Sequence, residues 1–340
     1  MKFVCYSDWD QLPESANALF EQGEKDSIFF SRPWFESLAA ALADDQTMLL
    51  ACVVDGSKVT AILPLVKTDG STLYSLKHRY TPHYSLLLAN DDQQQVLACL
   101  ARGLSQLPFK ALLLEPVVDN DSRISSLQCF MEMAGYHCEQ VFRSYNWIYR
   151  VQGQSYEEYM AARPASLRNT ISRKKRKLDR EHGFEIRLFT GDEVPQAMSD
   201  YYAVYTSSWK ANEQYVDFLD DIVAGFSRPG WSRLAVLYVK GQPVAAQLWF
   251  VLGDKASIFR LAYDKAWKQY SPGSIVTSFL MEYVIDTDEV AEIDFLTGND
   301  AYKQDWMSER REHFASSCVK SGKPARWYER FLGSLKNMLK

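Results

Sequence analysis

Val54-Asp55-Gly56-Ser57-Lys58-Val59-Thr60-Ala61-Ile62-Leu63 returns 185 positions later as Val239-Lys240-Gly241-Gln242-Pro243-Val244-Ala245-Ala246-Gln247-Leu248, identical at Val, Gly, Val, Ala and Leu. An apolar run precedes each copy. At the same offset a third apolar stretch follows, Ser71–Leu76 in one case and Ala256–Leu261 in the other. Asp55-Gly56 and Lys240-Gly241, set between apolar residues, are hairpin signals. One shared hairpin is common, but an ungapped third strand is not, so the sequence reads as an internal duplication.

Around the first copy the pattern predicts a helix from Arg32 to Ala43 with Pro33 in its first turn, then strands Met48–Val54, Lys58–Val66 and Thr72–Leu76. Helix Gln93–Leu104, strand Lys110–Pro116, helix Ser122–Ala134 and strand Cys138–Val151 complete the unit. The second copy predicts one long basic helix, Tyr156–Glu181, closed by His182-Gly183. Strand Glu185–Phe189 and helices Pro195–Ala211 and Val216–Phe226 follow. Strands Arg233–Val239, Val244–Leu252 and Ala256–Tyr263 form a meander. Helix Gly273–Ile285, strand Ala291–Leu296, strand Glu312–Lys320 and a helix Trp327–Leu339 end the chain. An antiparallel meander followed by a helix and a returning strand is an α+β arrangement. The repeat sets the expected boundary between residues 152 and 153.

A chain of 340 residues, 47% hydrophobic and 24% charged, has the length and composition of two soluble globular domains. No apolar run approaches the roughly 18 residues of a membrane span. The start, Met1-Lys2-Phe3-Val4-Cys5-Tyr6-Ser7-Asp8, turns polar too early for a secretory signal. A cytoplasmic location is therefore expected. The six cysteines are scattered without a CxxC pair, so free thiols are expected rather than a disulfide framework or zinc site. The five histidines lack HxxxH or HExxH spacing, and no metal is expected.

A net charge of −5 provides no overall attraction to nucleic acid. Between Arg163 and Glu181, however, stand eight basic residues and two acids. Leu167, Ile171 and Leu178 give that helix a narrow apolar stripe with Lys174 near its centre. A solvated amphipathic helix with Lys174 snorkelling fits the pattern, as does a clamp for a phosphorylated donor, an anionic glycan or tRNA. Arg173–Lys177 also has the form of a nuclear-localisation patch, with nothing else nuclear beside it.

Two loops can hold chemistry. In Asp264–Ser274 a strand leads into a helix start, where unpaired N–H groups and the dipole attract anions. There Gly273 allows close approach, Ser271 or Ser274 can cap, and Lys268 adds charge. An ordinary strand-to-helix turn has the same composition. In Ile293–Trp306 an apolar strand ends in Gly298-Asn299-Asp300-Ala301-Tyr302-Lys303. Asp294 or Asp300 can accept a proton, Tyr302 can donate one and Lys303 can clamp an anion. Equally, Asp294 can cap the turn while Tyr302 and Trp306 pack as core. Arg260 and Tyr263 on the third strand, with Trp209, complete the candidates. Arg260 lines a cleft or meets solvent, and Trp209 is a core residue or a stacking surface.

Taken together, Ser271-Pro272-Gly273 at a helix start and Asp294-Phe295-Leu296-Thr297-Gly298-Asn299-Asp300-Ala301-Tyr302-Lys303 resemble the acetyltransferase family related to the cellulose-biosynthesis protein CelD. Leu167–Leu178 and Ser208-Trp209-Lys210 extend the resemblance over roughly residues 155–310, with looser support around Ser31–Trp34. That family belongs to the GNAT superfamily of N-acyltransferases and is allied to the FemABX peptidyltransferases.

The resemblance implies two tandem GNAT-like domains, 1–152 and 153–340, each a mixed, mostly antiparallel sheet flanked by helices. It also implies an acyl-CoA donor on Lys268, Ser271, Gly273 and Ser274, and transfer to a primary amine of an amino sugar or other cell-envelope or polysaccharide precursor. Asp264 or Asp294 would be the base, Tyr302 the acid and Lys303 the oxyanion partner. Trp209, Arg260, Tyr263, His78 and Arg79 would meet the acceptor, with the first copy forming one wall and His83 near its rim. The superfamily pattern Arg/Gln-x-x-Gly-x-Gly/Ala is met only at its last Gly, and Pro272 lacks an N–H. An aminoacyl-tRNA-dependent transferase, as in the FemABX relatives, and a non-catalytic binding module in polysaccharide assembly are the alternatives.

Overall fold

The computed structural model describes residues 1–68, 70–210 and 213–320. Its first half contains β1 (Lys2–Tyr6), α1 (Asn17–Asp26), α2 (Arg32–Ala40), β2 (Thr47–Asp55), β3 (Lys58–Lys67), β4 (Thr72–Ser75), β5 (Leu87–Leu88), α3 (Gln93–Gln106), β6 (Ala111–Val118), α4 (Ser122–Met133) and β7 (Tyr136–Arg150). The second contains α5 (Tyr156–Ala161), α6 (Ala165–His182), β8 (Glu185–Thr190), α7 (Glu193–Ser207), α8 (Val216–Ser227), β9 (Ser232–Val239), β10 (Gln242–Leu252), β11 (Lys255–Tyr263), α9 (Pro272–Asp286), β12 (Glu292–Thr297), α10 (Lys303–Trp306) and β13 (Glu309–Lys320). The expected helix Trp327–Leu339 lies outside the described residues.

The duplication is visible in the pairing. Both hairpins close through two-residue turns, Asp55↔Lys58 and Val239↔Gln242, in which Gly56, Lys240 and Gly241 take positive φ. In each copy a bulge follows in the second strand, at Thr60 and at Val244. Each third strand then pairs in parallel with the strand returning from a helix, over three residues only: Thr72–Tyr74 with Ala111–Leu113, and Lys255–Ser257 with Glu292–Asp294.

The copies exchange their final strands. β7, from the first half, pairs with β12, whereas β13 pairs with β6 and also with β7. One mixed sheet results, in the order β1-β2-β3-β4-β6-β13-β7-β12-β11-β10-β9-β8, with β5 on β3. Helices flank it on both faces. The larger core joins the halves: Trp34 of α2 is fully buried against Phe29, against Phe218 and Phe226 of α8, and against Phe259 of β11. A second core lies under α5, α6 and α9, around Trp249, Ile275 and Leu280.

Two expectations change. The single basic helix is two helices, because Pro164 has no N–H to continue α5 and disfavours helical backbone at Arg163. Ser155 and Glu158 form a capping box at the start of α5, and Gly183, at φ 69°, ends α6 as expected. The cysteines are not all free thiols: Cys138 and Cys318 face each other on β7 and β13, Cα atoms 4.1 Å apart, and are disulfide-bonded. Strand exchange brings them together across 180 positions of sequence.

Because Trp34 touches both halves, Trp34→Ala is expected to cost about 3–5 kcal/mol and to shift one common urea transition. Two separated transitions with only one displaced would show that the halves do not share this core.

Candidate active-site cleft

Beyond Ser257 and Asp294 the parallel pair β11–β12 comes apart. A register break in β12 against β7, between Asp294 and Thr297, and the left-handed conformation of Leu296 (φ 52°) turn β12 away. Two side chains hold the turn. The Asp294 carboxylate accepts from the Leu296 N–H at 2.6 Å. Lys303 is buried, and its ammonium donates to the carbonyls of Phe295 (2.9 Å), Leu296 (3.1 Å) and Thr297 (2.9 Å). Those three acceptors engage all three Lys303 protons.

Three cavities run along the resulting gap. The largest, about 800 Å³, lies between the first turns of α6 and α9, β11 and residues 300–306. Its walls include Ser166, Thr170, Trp209, Tyr263, Gly273 and Ser274. It shares Lys210, Leu261, Thr277, Asp300 and Tyr302 with a middle cavity of about 190 Å³. The middle cavity shares Phe259, Arg260, Leu296 and Thr297 with an end cavity of about 260 Å³ that reaches Arg79, Tyr80 and Thr81 of the first half.

At the large end, α9 begins against β10 and β11. Gln247 donates to the Gly273 carbonyl at 3.0 Å, and the Thr277 hydroxyl donates to it at 2.9 Å. A Cβ on Gly273 would stand 3.2 Å from Tyr263 Cδ1, tighter than most contacts, so glycine lets the helix start sit on the strand. Pro272 offers no N–H, which leaves Gly273 and Ser274 as the first-turn donors on the cavity wall.

The middle is dominated by cations. Lys210 donates to the Leu261 carbonyl at 2.5 Å, and burial together with nearby Arg260 lowers its pKa to about 8. Arg260 pairs with Glu213 at 3.0 Å and lies over the Tyr80 ring, whose hydroxyl also donates to Glu213. His78 sits behind, against Tyr80, Tyr215 and Phe218. Burial, and then Arg260, push its pKa down to about 4.

Trp209, Tyr263, Gly273, Ser274, Arg260, Tyr302, Lys303 and Arg79 therefore meet along one cleft. The other expected residues do not join them. Asp264 caps a short 3-10 helix through the Ala266 N–H and opens on a different surface, beside Trp267 and Val244. Asp294 faces a separate cavity with Arg311 and Glu292, because the alternation of β12 places it opposite Phe295. Lys268 is exposed, and Ser271 is the left-handed residue before α9; neither lines the cleft. His78 is packed among aromatic rings, and His83 is buried against Ser27, so neither is at the rim. Lys303 supports β12 rather than offering a free donor. Neither Lys210 nor Glu213 was among the residues expected from the sequence. Lys210 stood in the Ser208-Trp209-Lys210 match, whereas Glu213 had no pattern to mark it.

The basic helix is only partly free. Arg163 lies over the rings of Tyr149 and Tyr159 and donates to the Trp306 carbonyl, and Lys174 donates to the Gln269 carbonyl. Arg168, Arg173, Lys175 and Arg176 remain exposed, without an ion pair among the described residues.

A meander, a parallel return strand parted from it and a helix start aimed into the gap define a GNAT-like fold. Residues 165–304 match the family model described as an acetyltransferase (GNAT) domain. Among solved structures, FemX has a TM-score of 0.61 at 8% identity, covering 92% of this chain and 97% of FemX. L-PGS from Bacillus licheniformis gives 0.55 at 11%, covering 84% and 88%. A tandem GNAT protein from the clavulanic acid biosynthesis pathway gives 0.52 at 12%, covering 95% and 99%. At these identities the likeness is one of fold. No curated protein matches the sequence. Among the described residues no helix is long and apolar enough to cross a membrane, and no cluster of His, Cys, Asp and Glu suits a metal ion.

Lys303→Met is expected to cost about 3 kcal/mol, since it leaves buried carbonyls unpaired; an unchanged urea midpoint would remove this supporting role. Burial raises the pKa of Asp294 from 3.8 to about 6. Folding therefore favours its neutral form, and that contribution, complete below pH 3.8, is lost as the pH rises to about 6. Unfolding free energies of wild type minus Asp294→Asn should fall across this window, whereas a pH-independent difference would contradict it.

Proposed function

We propose that the chain is an N-acyltransferase that holds an acyl thioester, acyl-CoA, at the start of α9 and transfers the acyl group to a primary amine entering from the Arg79 side. The parting of β11 and β12, which joins the Gly273–Ser274 helix start to the first half through one continuous cleft, carries this reading. The amides of Gly273 and Ser274 suit an anionic portion of the donor. Exposed Arg168, in the same helix as Ser166 and Thr170, adds positive charge nearby.

Among the acids first considered as bases, only Asp300 lines the cleft. In the reaction the neutral amine attacks the thioester carbonyl, Asp300 takes the amine proton, the C–N bond forms and the C–S bond breaks. Lys210 balances charge on the carbonyl oxygen, and Tyr302 donates a proton to the leaving thiolate. Lys303 keeps the opening in shape. The acceptor class follows the CelD-like resemblance: an amino sugar or another envelope or polysaccharide precursor.

A second reading, transfer from aminoacyl-tRNA, is favoured by the exposed Arg168, Arg173, Lys175 and Arg176. The FemX-like fold is compatible with it. Binding to RNA that weakens steeply with salt would support this reading over CoA.

Acetyl-CoA is expected to raise the melting temperature. With acetyl-CoA and an accepted amine, thiol release should fall about a hundredfold in Asp300→Asn, while Asp264→Asn and Asp294→Asn stay near wild type. No thermal shift with any acyl-CoA and no RNA binding would leave a non-catalytic binding module.

A further inference from the structure

The two ends of the cleft differ in charge. Its lining acids, Asp300 and Asp305, belong to the large and middle cavities. The charged side chains that line the end cavity of about 260 Å³ are both cationic, Arg79 and Arg260.

Arg260 is fixed in place. Its Nη2 donates to Glu213 at 3.0 Å, and the Tyr80 ring lies 3.4 Å from its guanidinium carbon. Glu213 also accepts from the Tyr80 hydroxyl, so this acid is engaged from two sides. Nε of Arg260 is buried without a hydrogen-bond partner among the described residues. A buried donor left unpaired is costly, and a ligand acceptor would relieve it. Arg79, across the same cavity, is exposed and has no ion pair among the described residues.

We propose that the acceptor is an anionic amine, its carboxylate or phosphate held between Arg79 and Arg260 and its amino group directed along the cleft towards Asp300. The direction of the amine rests on the transferase reading; the anion subsite does not. Arginine forks suit the oxygens of either group. The end and middle cavities together, about 260 and 190 Å³, match a molecule of monosaccharide size. The charge on Arg260 already lowers the pKa of both Lys210 and His78, and an anion beside it would offset that effect.

Calorimetric titration of the full chain without donor, at low salt, tests the subsite. The probes are glucosamine, glucosamine 6-phosphate and glucosaminate, which present no anion, a phosphate and a carboxylate. At least one anionic amine is expected to bind about tenfold more tightly than glucosamine, and the stronger of the two identifies the group. Arg79→Gln, an exposed substitution, should reduce that advantage to within about threefold. Arg260→Lys should weaken it with the fold retained, because Lys keeps the charge opposite Glu213 but lacks the fork. Equal binding of the three probes, binding of none, or an advantage unchanged in both variants would overturn the proposal. A separate titration with acetyl-CoA keeps the readings apart. Anion discrimination without CoA binding would retain the subsite and reject the CoA donor; CoA binding without discrimination would do the reverse.

Discussion

The antiparallel pairing of β7 with β13, from Tyr136↔Lys320 to Ile148↔Glu309, fixes the relation between the two halves. Each of these strands also pairs with a strand of the opposite half, β7 with β12 and β13 with β6. An interface made of backbone ladders cannot slide without breaking many hydrogen bonds, and it leaves neither β6 nor β12 as an open edge. The first half is thereby held against the gap in the second. Arg79 and Tyr80, from a loop after β4, can line a cleft whose other wall is β11 and β12.

The copies share a backbone plan yet differ in the space after the short parallel pair. In the first copy the chain fills that space itself: Tyr84 is buried and donates its hydroxyl to the Pro64 carbonyl, Leu86 is fully buried, and Leu87–Leu88 adds β5 to β3. Glu115, in β6 beyond its parallel pairing with β4, is neutralised by Lys77 and Arg143. In the second copy Lys303 draws the carbonyls of Phe295, Leu296 and Thr297 round its ammonium, and the gap stays open. One backbone plan thus provides a wall in one half and a cleft in the other.

Much of this was legible in the sequence because it is local. The hairpins at Gly56 and Gly241 depend on turn residues, and the helix start at Pro272-Gly273 on a dipeptide whose constraints are known. The exchange of β7 and β13 was not legible, since it joins residues about 180 positions apart with no local mark, and the Cys138–Cys318 bond is hidden with it. The placement of two carboxylates was not legible for a related reason. Asp264 and Asp294 stand beside the loops that border the cleft, but a strand sends alternate side chains to opposite faces, and the break after Asp294 decides which face remains in the cleft. Lys303 was singled out as an oxyanion partner, whereas its ammonium holds the backbone carbonyls of Phe295, Leu296 and Thr297. Glu213 owes its place to Arg260 and Tyr80, which are distant in sequence.

The central claim is that the parting of β11 and β12 forms the donor site. Hydrogen–deuterium exchange with and without saturating acetyl-CoA addresses it most directly. Slower exchange is expected at amides in residues 261–263, 273–277 and 296–303, with little change around Asp264's capped turn or the Asp294 cavity. Protection confined to the cavity of Asp294, Glu292 and Arg311, or none anywhere, would contradict it.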